Sequence, residues 1–230
     1  MIKIIFLLFS LICLSCSSDE IVSTEKTSFY KIYKDIIIRD SASTPEKVKN
    51  KKRRYDQDWL SKFNQPIILL SSLDGKLAAT LVALGNYDNK LTWVSSDGIS
   101  VSFSNGILIA TRGYSQDLME SKQNALEFFF KRPSRNHYKT YRYLNGENEY
   151  NEFKFSCTVT VEPNTALSLL DLKLKTTKFI ESCVSGNTAH VNEYYVLPET
   201  SIVLKSKQWV SKENGYLLIY NYYAFQQHLS

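Results

Sequence analysis

LTWVSSDGISVSFSNGILIATRGYSQDL, residues 91–118, is the stretch that decides how the chain is read. Two turn dipeptides punctuate it, Asp97-Gly98 and Asn105-Gly106. Both suit two-residue hairpin turns, because Asn, Asp and Gly accept the positive φ such turns require. Between them Ile99, Val101 and Phe103 alternate with Ser100, Ser102 and Ser104, the period of a half-buried strand. With two-residue turns the registers follow. Val94 faces Val101, Val101 faces Ala110 and Phe103 faces Leu108, making one apolar face. Trp93, Ser102 and Ile109 line up on the other. The stretch predicts a three-stranded meander.

Strand signals continue on both sides of it. Residues 67–73 and 77–84 flank Asp74-Gly75 and are apolar on two faces. Residues 138–144 end at Asn145-Gly146. Phe153, Phe155, Cys157, Val159 and Val161 then alternate with Lys154, Ser156, Thr158 and Thr160. Residues 179–184, 191–197, 201–210 and 216–225 complete the set, the last two joined near Asn214-Gly215. Five of the eight glycines sit in Asn-Gly or Asp-Gly pairs, so the strands are connected by tight antiparallel turns. The expectation is a mainly β protein, an antiparallel up-and-down barrel-like or sandwich domain. The rhythm breaks at 120–130. There Leu118, Met119, Ala125, Leu126, Phe129 and Phe130 predict a short mid-chain helix before Pro133.

The same stretch carries a resemblance. The pattern W-V-S-S-D-G, a strand, a Gly-containing turn, a strand ending in Thr and then G-x-x-x-D-L is similar to the core of the YjbF/GfcB lipoprotein family. The matching residues are Trp93, Val94, Ser95, Asp97, Gly98, Gly106, Thr111, Gly113, Asp117 and Leu118. The likeness extends from Pro66 to the strand containing Tyr194, Tyr195 and Val196, and more loosely beyond. Where the family usually has Arg after the turn glycine, this chain has Ile107. The resemblance implies a β-barrel-like fold and a place in group 4 capsule or exopolysaccharide production.

The N-terminus reads as an address. Lys3 gives a short positive region, residues 4–12 an apolar run, and Leu14-Ser15-Cys16 a cleavage site. Such a run is too short to span a bilayer permanently, which takes about 20 residues. Cys16 therefore reads as the acylated first residue of a mature lipoprotein, although Cys13 stands where a Leu is usual. An ordinary secretory peptide is the alternative. Several acyl chains at about 0.8 kcal/mol per buried CH₂ make a stable anchor. Ser17 and Ser18 follow without an Asp that would signal inner-membrane retention, so the outer membrane, facing the periplasm, is expected.

The chain divides into a signal peptide (1–15), a tether with helix and basic segment (16–60), and one β-rich domain (61–230). Phe29, Ile32, Tyr33, Ile36 and Ile37 give an N-terminal amphipathic helix over about 24–38. Lys47, Lys49, Lys51, Lys52, Arg53 and Arg54 form a basic cluster, read as a solvated segment or a patch for anionic glycan. With 43% hydrophobic residues the domain can bury a sizeable core, and a net charge of +5 does not point to nucleic acid.

Chemistry-bearing patterns are few. His137, His190 and His228 are far apart and, beyond the leader that ends at Cys16, no His-x₃-His or Cys-x₂-Cys spacing occurs, so neither metal nor cofactor is expected. No nucleophile elbow or phosphate loop is present, and no catalytic residue is assigned. Arg132, Arg135, Tyr138, Lys139, Tyr141 and Arg142 are candidate glycan contacts, since Tyr faces stack on sugars and cations pair with uronates. The alternative is an edge strand kept soluble by charge. After processing, Cys157 and Cys183 are the cysteines left besides Cys16. In an oxidising compartment a disulfide is expected, two buried free thiols being the alternative.

The expected function is non-enzymatic: a lipid-anchored protein assisting assembly or export of capsule or exopolysaccharide. Its expected partners are the membrane, other proteins of that system and anionic polysaccharide. The competing readings are a glycan-active enzyme, marked by two carboxylates across a cleft, and an adaptor docking other envelope proteins.

Overall fold

The structure, a computed structural model, describes residues 60–63, 65–124, 129–131, 133, 136–144, 149–170, 172–198 and 200–224. All lie within the unit Pro45–Ser230. Cys16, the expected N-terminal helix, the basic cluster, the Asn145-Gly146 turn, Arg132 and Arg135 fall outside the described residues.

Twelve strands run β1 (Ile67–Ser72), β2 (Ala78–Tyr87), β3 (Lys90–Val94), β4 (Ser100–Ser104), β5 (Ile107–Arg112) and β6 (Leu118–Gln123). They continue with β7 (Asn136–Leu144), β8 (Tyr150–Leu169), β9 (Leu172–Ser185), β10 (Thr188–Val196), β11 (Val203–Ser211) and β12 (Gly215–Tyr220). The sheet order is β5-β4-β3-β2-β1-β12-β11-β10-β9-β8-β7-β6. Chain neighbours are thus sheet neighbours everywhere but one place. First and last strands pair, and β5 and β6 stand at the two ends. This is a nearly closed antiparallel up-and-down barrel with its seam between β5 and β6.

Residues of the family pattern build that seam. Thr111 Oγ1 donates to Asp117 Oδ1 (3.1 Å) and accepts from Leu118 N (2.9 Å). Asp117 also accepts from Gly113 N and Tyr114 N, both at 3.1 Å. Gly113 sits at φ +90°, and a Cβ there would lie 3.3 Å from Ile99 Cα. An edge that cannot complete a ladder is therefore closed by one carboxylate and one hydroxyl. A second tie comes from across the barrel: Gln208 of β11 accepts from Leu108 N (2.7 Å) and donates to Gly106 O (2.9 Å).

The meander is present, with one register corrected. Asn105 (φ 49°) and Gly106 (φ 79°) make the expected two-residue turn, and Phe103 faces Leu108. At the first turn, Ser95 N donates to Ile99 O and Gly98 N to Ser95 O, enclosing Ser96, Asp97 and Gly98. Gly98, at φ 88°, fills the left-handed position of a three-residue loop. The extra residue slips the pairing by one, so Trp93, not Val94, faces Val101. A slip of one exchanges faces, and Trp93 joins the core at 2% exposed. A bulge between Ser102 and Phe103 then puts Val101 opposite Thr111 rather than Ala110.

Two further expectations need correction. The mid-chain helix is contradicted where it begins: residues 118–123 form β6, paired to β7 from Leu118↔Tyr143 to Gln123↔Lys139. Pairing outweighs local helical spacing here because Leu118 N and Asp117 are fixed by the seam. Residues 125–128 are outside the described set. The last strand also stops at Tyr220. Asn221 Oδ1 then accepts from Ala224 N (3.0 Å), capping a short helical turn.

The apolar residues sort onto the two faces of this sheet. Ile68, Leu70, Leu81, Trp93, Val101, Phe103, Leu108 and Ile219 meet inside. Ile67 and Leu69, on the opposite face of β1, meet Leu167, Leu169 and Leu170 from the far end of the β8–β9 hairpin. That hairpin bends between Glu162 and Thr165, where Asn164 takes φ 61°. It covers the outer wall, which is why β1 is apolar on both faces. Phe129 and Phe130, on the β6–β7 connection, pack edge-on against Tyr194 and Phe179 with centroids 5.2–5.8 Å apart.

Candidate functional site

Polar side chains on inward positions of β7, β9, β10 and β11 meet in the barrel interior. Glu181 of β9 is at their centre and is fully buried. Its Oε1 lies 2.7 Å from His137 Nε2, while Oε2 lies 3.0 Å from Lys139 Nζ. Oε2 also accepts from Asn192 Nδ2 (2.7 Å) and Tyr194 OH (3.2 Å). Asn192 Oδ1 in turn accepts from Trp209 N (2.7 Å). Beside this group, His190 stacks on Trp209 with centroids 4.3 Å apart, and its Nε2 lies 3.2 Å from Tyr141 OH.

Burial by itself favours neutral groups, and the pair resists it. Burial pushes the Glu181 carboxyl up, but Lys139 and the hydrogen bonds from His137 and Asn192 prevail and hold it well below its ordinary value. Burial would depress the Lys139 ammonium, but Glu181 outweighs that and raises it. Both are therefore charged at neutral pH. His190 has no such partner. Burial, reinforced by the charge on Lys139, lowers it to about 4, so it is neutral. Burial first, and the charge of Glu181 second, raise the hydroxyls of Tyr141 and Tyr194. The arrangement locks four strands together. It leaves Glu181 without a proton to give.

This arrangement divides the candidate glycan contacts. Strand alternation sends Lys139 and Tyr141 inward, each 1% exposed, so neither can meet a glycan on the outer surface. Tyr138 stands outside at 67% exposed. Arg142 is also outside, braced between Glu120 and Glu152 at 2.8 Å and lying over the Tyr150 ring. The four of these residues that are described do not share one surface. Glu181, Asn192, Tyr194 and Gln208 were not picked out by their sequence spacing. The available signal was a carboxylate between Phe179 and Cys183 on the buried face of a strand.

Cys157 and Cys183 face each other in register on β8 and β9 and are joined by a disulfide, with both residues fully buried. His137, Cys157 and Glu181 place one donor atom each within 4.8 Å of one another. They do not fit a metal ion. The sulfur is covalently bonded to Cys183, and the His137 nitrogen and Glu181 oxygen are hydrogen-bonded to each other.

At one end the interior opens into a recess of about 250 Å³. Ile68, Trp93, Phe103 and Ile219 form its floor, and Asn86, Asn89, Asn105 and Asn221 contribute to its lining. Ser206 and Lys205 come from β11, Lys205 Nζ lying 5.1 Å from the Tyr220 ring centroid and 5.5 Å from that of Tyr195.

Comparison with known proteins follows this architecture. A crystal structure of the hypothetical lipoprotein YmcC from Escherichia coli K12 superposes with a TM-score of 0.60 at 13% identity. The match covers 73% of this chain and 88% of that one. At that identity the likeness shows a shared fold. Among curated proteins none matches the sequence. The family model described as group 4 capsule polysaccharide lipoprotein gfcB, YjbF matches residues 34–220, and the chain belongs to that family.

Proposed function

We propose that this chain is a non-enzymatic lipoprotein, anchored through Cys16 in the outer membrane and facing the periplasm, which assists assembly or export of capsule or exopolysaccharide. Family membership supports the polysaccharide system. The use made of Glu181 carries the non-catalytic part. A glycosidase needs a protonated acid and a second carboxylate roughly 5–10 Å away across the substrate. Glu181 is instead held ionised by Lys139, His137, Asn192 and Tyr194, and serves to join strands. The open recess, among the described residues, presents carboxamides, apolar side chains and a hydroxyl. That set suits binding better than bond cleavage.

Deletion of the gene tests the reading. Surface polysaccharide is expected to fall while its sugar nucleotide precursors persist, and a plasmid copy is expected to restore it. Unchanged surface polymer in the deletion strain contradicts the reading.

A further inference from the structure

We propose that the recess at the barrel mouth is a binding site for a sugar residue, held by the side-chain amides of Asn86, Asn89 and Asn105. The inference rests on the polysaccharide role just proposed and assigns that role a place in the molecule. Asn86 is the telling residue. It pairs with Leu91 across β2 and β3, on the face that carries Trp93 and Phe103 into the core. Asn is disfavoured within strands, and here it keeps an exposed carboxamide at the rim of the recess. Asn89 and Asn105 sit at left-handed turn positions (φ 56° and 49°), where Asn is tolerated for its backbone alone. What they add is direction, for both also line the recess.

None of these three amides has a hydrogen-bond partner in the protein among the described residues, whereas Asn221 is committed to Val203 O and Ala224 N. Each amide offers two donors and an acceptor, the complement of neighbouring hydroxyls on a pyranose. Ile68, Trp93, Phe103 and Ile219 give an apolar floor for the C–H face of the ring, with the Ser206 hydroxyl beside them. Size agrees with a single unit. The recess of about 250 Å³ lies just under the ~300–1,000 Å³ of pockets that take drug-sized ligands. An alkyl chain would leave all three amides without partners at the rim, which costs free energy wherever water is displaced.

The test is calorimetric titration of the full-length acylated protein in nanodiscs. The probe is the set of oligosaccharides released by partial hydrolysis of the producing cell's own surface polysaccharide. The variant Asn86→Ala, Asn89→Gly, Asn105→Gly removes the amides and keeps the left-handed turns permitted. Saturable binding is expected, weakened roughly tenfold or more in this variant, about the worth of one or two hydrogen bonds. Val184→Ser, on the outer face of β9 and away from the recess, is expected to bind like the wild type. Absence of binding by the wild type overturns the inference, as does equal binding by the triple variant or displacement of the sugar by a decyl chain. These results are separable from the deletion experiment. Lost surface polymer without sugar binding leaves the accessory role standing and removes the recess from it.

Discussion

Lys139 Nζ and Glu181 Oε2 meet at 3.0 Å from strands that are not neighbours, reaching past β8 inside the barrel. Each charge is acceptable there because of the other. Removing one partner of a buried pair costs about 3–5 kcal/mol, because the remaining charge is stranded, whereas replacing both costs less. Lys139→Met and Glu181→Gln should each lower the urea midpoint by that equivalent, and the double variant by less than their sum. Additive losses would show that the two side chains do not depend on each other.

Acid should weaken the fold in two separable stages. The His190 value falls from 6.5 in the open chain to about 4 in the fold, so between those pH values the unfolded chain holds the extra proton. Stability from this group is complete above about pH 6.5 and is lost as pH drops toward 4. Glu181 is depressed below 4.5, so its contribution is complete above that value and is lost only in stronger acid. Between pH 7.5 and 4.5 the wild type should lose on the order of 2 kcal/mol more than His190→Gln. Parallel stability profiles for the two proteins would sink this assignment.

Gly106 should tolerate nothing larger. A Cβ there would lie 2.4 Å from Val203 Cγ2, and the residue sits at φ +79°. Gly106→Ala is expected to cost about 2 kcal/mol or more, from strain and overlap together. Val203→Ala removes the Cγ2 overlap but keeps Val203 Cβ at 2.8 Å, so it should recover part of the loss and leave the rest with the strain. Thermal melts of both singles and the double decide it, a full absence of recovery being the contrary result.

These sites mark how far the sequence could be read. Asn105-Gly106 announced its turn correctly, since a two-residue loop and the dipeptide's φ preferences determine each other. Asp97-Gly98 looked the same, but the Ser95 hydroxyl bonds the Asp97 carboxylate and Ile99 O (3.1 Å), stabilising a longer loop. That one residue moved Trp93 into the core. The Lys139 position was readable only as a charge on an edge-like strand, because its partner Glu181 lies 42 residues away. Alternation did hold the information, as His137, Lys139, Tyr141 and Tyr143 share parity and are all buried. Choosing the polar-looking side as the inner one requires knowing that β9 brings a carboxylate to meet it.

Cys157 and Cys183 close a loop of sequence separation 26. In the chain-entropy model a loop of this size contributes about 3 kcal/mol by restricting the unfolded chain. Cys157→Ala with Cys183→Ala should lower stability by that amount, or by less if the buried methyls pack well. Thiol titration of the oxidised, denatured protein should find neither cysteine reactive. Two reactive thiols would contradict the bond.

Complementation with Cys16→Ala tests most directly the proposal that the protein serves surface polysaccharide from a lipid anchor. In a deletion strain, a wild-type copy should incorporate a palmitate analogue, partition with membranes and restore surface polysaccharide. The Cys16→Ala copy, expressed to the same level, should remain unlabelled and leave surface polymer low. Full restoration of polymer by the unlabelled Cys16→Ala protein would contradict the account.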